Sequence, residues 1–316
     1  MTMKLARYFQ KYSFLIGLVL FAFILLKSNP QKLWTNISRA DFRFLFLALL
    51  LILPMFFFKT LCWNYLKRKQ GIVYGLKDSF LMYNAGQYLG LLTPGRLGEI
   101  AKSWYLKKDG HSLGRSLVST VLDRLSDLFF LLGFTALGSL FFWGQIKQQF
   151  IWPVFVFIVL LIIFLLALKI GFVRWGIKKF FYWLVPEKNK SAFKLNFRDF
   201  WRDLKNYRPA NWLVIFFITA LSWFFYYLQM YFLAKAVGLS APFIYLAVCV
   251  TLAGLVTLLP ISISGIGTRD AALILLLAPL GIARETVVVF SALILLAFVA
   301  SALLGLICWW LKPLRL

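Results

Sequence analysis

Of 316 residues, 62% are apolar and only 15% charged, against roughly half and a quarter in a soluble domain. This excludes a water-soluble globule, and with it the disulfide-stapled, collagen-like and disordered classes. A formal charge of +24 in so apolar a chain points to anionic lipid head groups as partners, not nucleic acid. His111 is the single histidine, so no His-based metal site and no cofactor is expected. Cys62, Cys249 and Cys308 all sit in apolar runs, as membrane-facing or core residues and not as a disulfide framework.

The first apolar run, 12–26, is short, and Lys11 and Lys27 can snorkel at its ends. No small-residue cleavage site follows it in KSNPQKLW, so it reads as a retained signal anchor. Further crossings are expected at 42–62, 117–142, 150–168, 211–234 and 287–311, runs that approach the ~20 residues needed to cross ~30 Å of hydrocarbon. Two other stretches are too short to span. One is 78–92, ending in TPGRLGE, and the other is 243–259, ending in PISISGIGTRD. With the helical stretches 94–106 and 267–280, each is expected to form a broken hairpin that returns to the side it entered. The expected fold is an all-α polytopic membrane protein, one membrane domain over 1–316, with about six spanning helices and two re-entrant hairpins.

Basic residues in the connections set orientation. With both termini in the cytoplasm, cytoplasmic segments carry 24 of the 35 Lys and Arg, and outer segments carry 7. The expected location is the cytoplasmic (inner) membrane. The loop 169–210 alone holds eleven basic and three acidic residues. Its strings FVRWGIKKFFYWLV and FKLNFRDFWRDLKNY mix basic and aromatic residues as interfacial helices do, serving topology and anchoring or the gathering of anionic lipid. Asp199 and Asp203 in that loop are expected on a helix surface.

The chain also repeats weakly, at a nearly constant offset: 42–62 maps onto 211–234, Gly98 onto Gly267, and 117–142 close to 287–311. The halves are 12–142 and 150–311. Each reads span, span, broken hairpin, span, which is an odd number of crossings. The halves would then be inverted, a transporter design.

Eight ionisable residues lie at membrane depth: Arg96, Glu99, Lys102, Asp123, Arg124, Asp127, Arg269 and Asp270. A lone charge there costs at least ~3 kcal/mol, so each should be paired or face a wet cavity. Arg96, Glu99 and Lys102 are three apart, on one helix face. Asp123 and Asp127 are four apart with Arg124 between them. Pro94 suits a first helical position, and Gly95 and Gly98 allow close backbone approach. Gly265 and Gly267 match them in the second half, with Ser264 or Thr268 as cap. Two helix N-termini, each with an arginine, would converge on an anionic head group. The alternative is a set of buried salt bridges fixing helix register. Asn84 and Gln87 either line the same cavity or satisfy the broken backbone.

PGRLGEIAK, then DRLSDL, then SGIGTRD together resemble the membrane region of the lysylphosphatidylglycerol synthase/flippase family. The resemblance runs from about Ser13 to Trp310. It implies the handling of lipids with charged or glycosylated head groups. It carries over Pro94, Gly95, Arg96, Gly98, Glu99, Asp123, Arg124, Gly265, Gly267 and Asp270. Lys102 stands where the family commonly has arginine, and Asp123 and Asp270 where it has glutamate. No aminoacyl-transfer domain follows Trp310, so lysylphosphatidylglycerol synthesis is not expected. The expected function is a lipid flippase and not an enzyme; no nucleotide-binding loop is present, so ATP-driven transport by this chain alone is not expected. The alternatives are a membrane glycosyltransferase or an accessory subunit acting on lipid-linked sugars. A homodimer or a partner envelope-biosynthesis enzyme is compatible with either.

Overall fold

The computed structural model describes residues 24, 26, 28–91, 98–142, 144, 152, 155–156, 158–159, 163, 175–176, 179, 190–204, 207–257 and 266–313. Among these residues every regular element is a helix. The expected crossings at 12–26 and 150–168 lie almost wholly outside the described residues, as do Pro94, Gly95, Arg96, Ser264 and Gly265.

A short helix α1 (Pro30–Ser38) is capped by the Asn29 side chain. It leads to α2 (Phe42–Leu50), capped by Asp41, and α3 (Ile52–Lys69). The break at Leu51 has a local cause. Pro54 has no N–H for the Leu50 carbonyl, and its ring crowds that carbonyl. Together α2 and α3 make one apolar run of 28 residues, longer than the expected 42–62. Next come α4 (Leu76–Leu91), a 3-10 turn over 98–100, α5 (Ala101–Lys108) and α6 (Leu113–Phe141). The second half holds α7 (Lys190–Leu204), α8 (Pro209–Ala236), α9 (Phe243–Val256), α10 (Thr268–Leu277) and α11 (Arg284–Leu311). Among the described residues, three helices are long and apolar enough to cross a membrane: α2 with α3, α8, and α11. The 29-residue α6 has the length, but it carries Asp123, Arg124 and Asp127. The chain is an all-α membrane protein.

The bundle has two ends. At one, here called the Lys312 end, Lys312 ion-pairs with Asp78 at 2.5 Å and accepts the Tyr105 hydroxyl on its carbonyl at 2.6 Å. This joins the start of α4, the finish of α5 and the finish of α11. Tyr207 donates to the Leu66 carbonyl (2.8 Å) and Tyr65 to Asn211 (3.1 Å), bringing in the finish of α3 and the start of α8. At the opposite, Asp41 end, the Asp41 amide donates to the Ala236 carbonyl (2.8 Å) and Asn36 to Thr286 (3.2 Å). Tyr245, early in α9, donates to the Leu276 carbonyl, late in α10, at 2.7 Å. So α4 and α5 start and finish at the Lys312 end, and α9 and α10 at the Asp41 end.

Helix starts repeat at one constant offset. Phe42, Leu76 and Ala101 open α2, α4 and α5, and Pro209, Phe243 and Thr268 open α8, α9 and α10 at the same spacing. Packing repeats too: α11 lies on α4, and α6 on α9. Small residues permit both approaches. A Cβ on Gly305 would meet the Asn84 carbonyl at 2.7 Å, and one on Gly138 would strike Val248. These two glycines are separated by that same offset.

The amphipathic α7 packs on the start of α6. A Cβ on Gly114 would collide with the Asn196 backbone. Asp203 pairs with Arg115 at 2.8 Å, and Asp199 with Arg202 at 3.4 Å. Asp199 and Asp203 are therefore buried, not on the helix surface the sequence suggested. The cysteines, by contrast, are free and buried as expected.

Candidate functional site

The polar centre of the bundle is built on α6. Asp123, Arg124 and Asp127 project from its middle, about 15 to 21 Å along the helix from the Lys312 end. Asp123 is ion-paired with Lys102 of α5, and their side chains are 1% and 0% exposed. Asp127 is ion-paired with Lys59 of α3 and accepts the Trp223 indole N–H of α8 at 3.0 Å. Arg124 reaches Glu99 at 2.7 Å, Asp123 at 3.2 Å and Asp127 at 3.4 Å, and donates to the Tyr83 hydroxyl at 3.0 Å. Gln87 of α4 closes the ring. Its amide nitrogen donates to Glu99 at 3.1 Å, and its oxygen accepts from Arg124 (3.2 Å) and Tyr83 (3.1 Å).

Among the described residues, three cations and three carboxylates thus form one balanced set drawn from α3, the α4–α5 region and α6. The balance explains why a low-dielectric interior tolerates it. The set is also asymmetric. The Arg124 side chain is one-third exposed, whereas those of Glu99 and Asp123 are about 2% exposed or less. Arg124 is thus the most exposed member of the set. Asp123 Oδ1 and Arg124 Nε are buried without a hydrogen-bond partner, so bonding capacity remains.

The close approach of the 98–100 turn to α4, which positions Glu99, depends on glycine. A Cβ on Gly98 would strike the Leu89 carbonyl, and one on Gly90 would strike Glu99. Gly98 was read from the sequence, whereas Gly90 was not.

The second half places Arg269 and Asp270 differently. Gly267, at φ +82°, is the N-cap of α10, and its amide donates to Asp270 Oδ2 at 2.8 Å. This cap replaces the expected Ser264 or Thr268. Asp270 also accepts the Ser291 hydroxyl. Arg269 binds Ser291 of α11 through Nε (2.9 Å) and through the Ser291 carbonyl (3.0 Å), with its guanidinium 5.5 Å from the Phe298 ring centroid. It stands 3.7 Å from Asp270, and its Nη1 is buried without a partner. By the offset of the helix starts, Arg269 is the counterpart of Lys102, and Ser291 falls next to the counterpart of Asp123. The same cation position is thus held by Asp123 in the first half and by the Ser291 hydroxyl, with Asp270 at 3.7 Å, in the second.

Of the expected residues, Glu99, Lys102, Asp123, Arg124, Asp127 and Gln87 come together. Arg269 and Asp270 form a separate site toward the Asp41 end. Asn84 joins neither, because its amide donates to the Phe80 carbonyl of its own helix at 2.8 Å. The sequence reading missed Lys59, Tyr83 and Trp223. Lys59 was counted as a loop charge, but it lies well inside α3. The extension of the apolar pattern on both sides of Lys59 was the available signal.

A family model described as the lysylphosphatidylglycerol synthase TM region matches residues 11–310. The chain belongs to this family. A relative from Methanothermobacter thermautotrophicus, named UPF0104 membrane protein, is 23% identical over 285 residues, covering 84% of each chain. Membership in the lysylphosphatidylglycerol synthase TM region family makes this a membrane protein of a lipid-related family. Of the residues that carried the resemblance, Glu99, Asp123 and Arg124 meet where the 98–100 turn lies against α6.

Proposed function

We propose that this protein is a lipid flippase, moving a phospholipid or lipid-linked substrate with a charged or glycosylated head group across the cytoplasmic membrane. The observation that carries the reading is the balanced six-charge set at mid-depth, with Arg124 as its accessible member. A purely structural bundle gains little from burying six ionised groups, since apolar side chains of like volume serve as well. A head-group route needs such groups and keeps the tails in lipid.

The architecture supports the same reading. Hairpins that start and finish at opposite ends, with helix starts repeating at a constant offset, fit an inverted repeat of two halves. At 16 and 14 residues, α4 and α9 are about 24 and 21 Å long, short of ~30 Å of hydrocarbon, as re-entrant arms are. Arg68, Lys69, Lys77, Lys107 and Lys108 gather at the Lys312 end, which we assign to the cytoplasm, with both termini there. The arginines hold phosphate, and the carboxylates balance them or accept an amine or sugar hydroxyl. Asp199 and Asp203 are engaged by Arg202 and Arg115. That removes the acidic pair a glycosyltransferase reading would use.

The test is transfer of labelled anionic, aminoacylated and polyprenyl-phosphate lipids between leaflets of vesicles containing only this protein. One class should move, and the Arg124→Gln/Arg269→Gln variant should not move it. Movement that appears only after a second protein is added would show an accessory subunit instead.

A further inference from the structure

The two charged sites sit at different depths, and resting on the flippase reading, the question is what carries a phosphate between them. Counted along the helices from the Lys312 end, Arg124 is about 16 Å deep on α6. Ser291, which holds Arg269, is two turns from the Asp41 end of α11, about 10 Å from that side. A phosphate crossing the intervening stretch without donors would bear a large desolvation cost.

The seam between α6 and α8 fills that stretch. Trp223 is half-buried. Its indole N–H is anchored on Asp127 at 3.0 Å, and Lys59 stands 5.1 Å from its ring centroid, so it belongs to the edge of the first site. One turn further along α8, Tyr226 is also half-buried and packs edge-on against Trp223 at 5.1 Å. Tyr226 also packs on the ring of Tyr227 at 5.8 Å, and the Tyr227 hydroxyl meets Thr251 at 2.8 Å, so this turn of α8 abuts α9. Along α8, Trp223 and Tyr226 stand about 21 and 25 Å from the Lys312 end, between the depths of the two arginines. Both present an apolar ring with a polar donor at its edge.

We propose that Trp223 and Tyr226 are the middle station of the head-group route, passing the phosphate of a lipid from Arg124 to Arg269 by donating from the indole N–H and the phenol O–H. The rings line the seam, and their edges supply the hydrogen bonds that water gives a phosphate in solution. When phosphate is at the station, the Trp223 N–H exchanges Asp127 for a phosphate oxygen. Asp127 keeps Lys59 and Arg124, so no carboxylate is stranded.

The test is cysteine accessibility in native membranes with a charged, impermeant methanethiosulfonate reagent. Trp223→Cys and Tyr226→Cys should react at least about tenfold faster than Phe217→Cys, which lies on the exposed apolar face of the same helix. The buried Cys62, Cys249 and Cys308 set the background. Equal, slow reaction at all three introduced positions would overturn the proposal. A second readout uses Trp223→Phe and Tyr226→Phe, which keep the rings and lose the donors. Each should slow lipid transfer about tenfold or more, and unchanged rates in a protein that transfers lipid would also overturn it. Reactive cysteines in a protein that moves no tested lipid would instead overturn the flippase reading and leave the polar seam standing.

Discussion

Removing Asp123 should destabilise the protein more than removing its partner Lys102. Both side chains are essentially without solvent exposure. Breaking a buried ion pair from one side costs about 3–5 kcal/mol, because the remaining charge is left uncompensated. That is about 10²- to 10⁴-fold in the folded-to-unfolded ratio. Asp123→Ala strips Lys102 of its carboxylate and takes one of three from Arg124, so its cost belongs at the upper end. Lys102→Met leaves Asp123 with Arg124 at 3.2 Å, so its cost belongs at the lower end. In Lys102→Met/Asp123→Leu no charge is stranded, since Arg124 retains Glu99 at 2.7 Å and Asp127 at 3.4 Å. That double variant should return to within about 2 kcal/mol of the parent. The assay is reversible denaturant unfolding in detergent, followed by tryptophan fluorescence. A cost below about 1 kcal/mol for Asp123→Ala, or a double variant as unstable as the sum of the singles, would refute the reasoning.

Four further outcomes follow from the same geometry. Gly138→Ala, which meets Val248, and Gly305→Ala, which meets the Asn84 carbonyl, should each destabilise by about 1–3 kcal/mol. Gly133→Ala in the same α6, with open space around it, should stabilise by up to about 1 kcal/mol in the same unfolding assay. Ser291→Ala removes the hydroxyl that donates to Asp270 and accepts from Arg269 Nε, and should cost about 1–3 kcal/mol in the same unfolding assay. Asp203→Ala should release α7 from Arg115, seen as faster proteolysis within 190–204 than in the parent.

Much of the layout was legible because it rests on chain-local physics. Apolar length marked α8 and α11 to within a few residues, and ionisable residues in apolar runs marked Glu99, Lys102, Asp123, Arg124 and Asp127. The helix starts repeat at an offset slightly shorter than the match of Gly98 to Gly267. What escaped depended on neighbours brought in from elsewhere. Lys59 looked like the first charge of a loop because its partner, Asp127, lies far along the chain on α6. Asp199 and Asp203 looked like surface acids because Arg115 and the Gly114 contact that bury them belong to α6. Asn84 and Gln87 lie one turn apart on one helix, yet only Gln87 faces Glu99. That choice is set by where α11 and the 98–100 turn pack, which periodicity does not reveal. Trp223 and Tyr226 stood in an aromatic run whose rings are indistinguishable in sequence. Only the Trp223 bond to Asp127 and the packing of Tyr226 on Trp223 separate them from the exposed Phe216 and Phe217.

The central claim is that the charged centre on α6 and the Arg269 site serve lipid movement. The most direct measurement is leaflet exchange in vesicles that contain the purified protein and a head-group-labelled lipid, read by an impermeant quencher. The account predicts that the quenchable share rises from the outer-leaflet portion to nearly all of the label for one head-group class. It should fall back to the outer-leaflet portion for Arg124→Gln/Arg269→Gln. Folded wild-type protein that leaves the inner-leaflet label protected for every class, with and without an ion gradient, would contradict it.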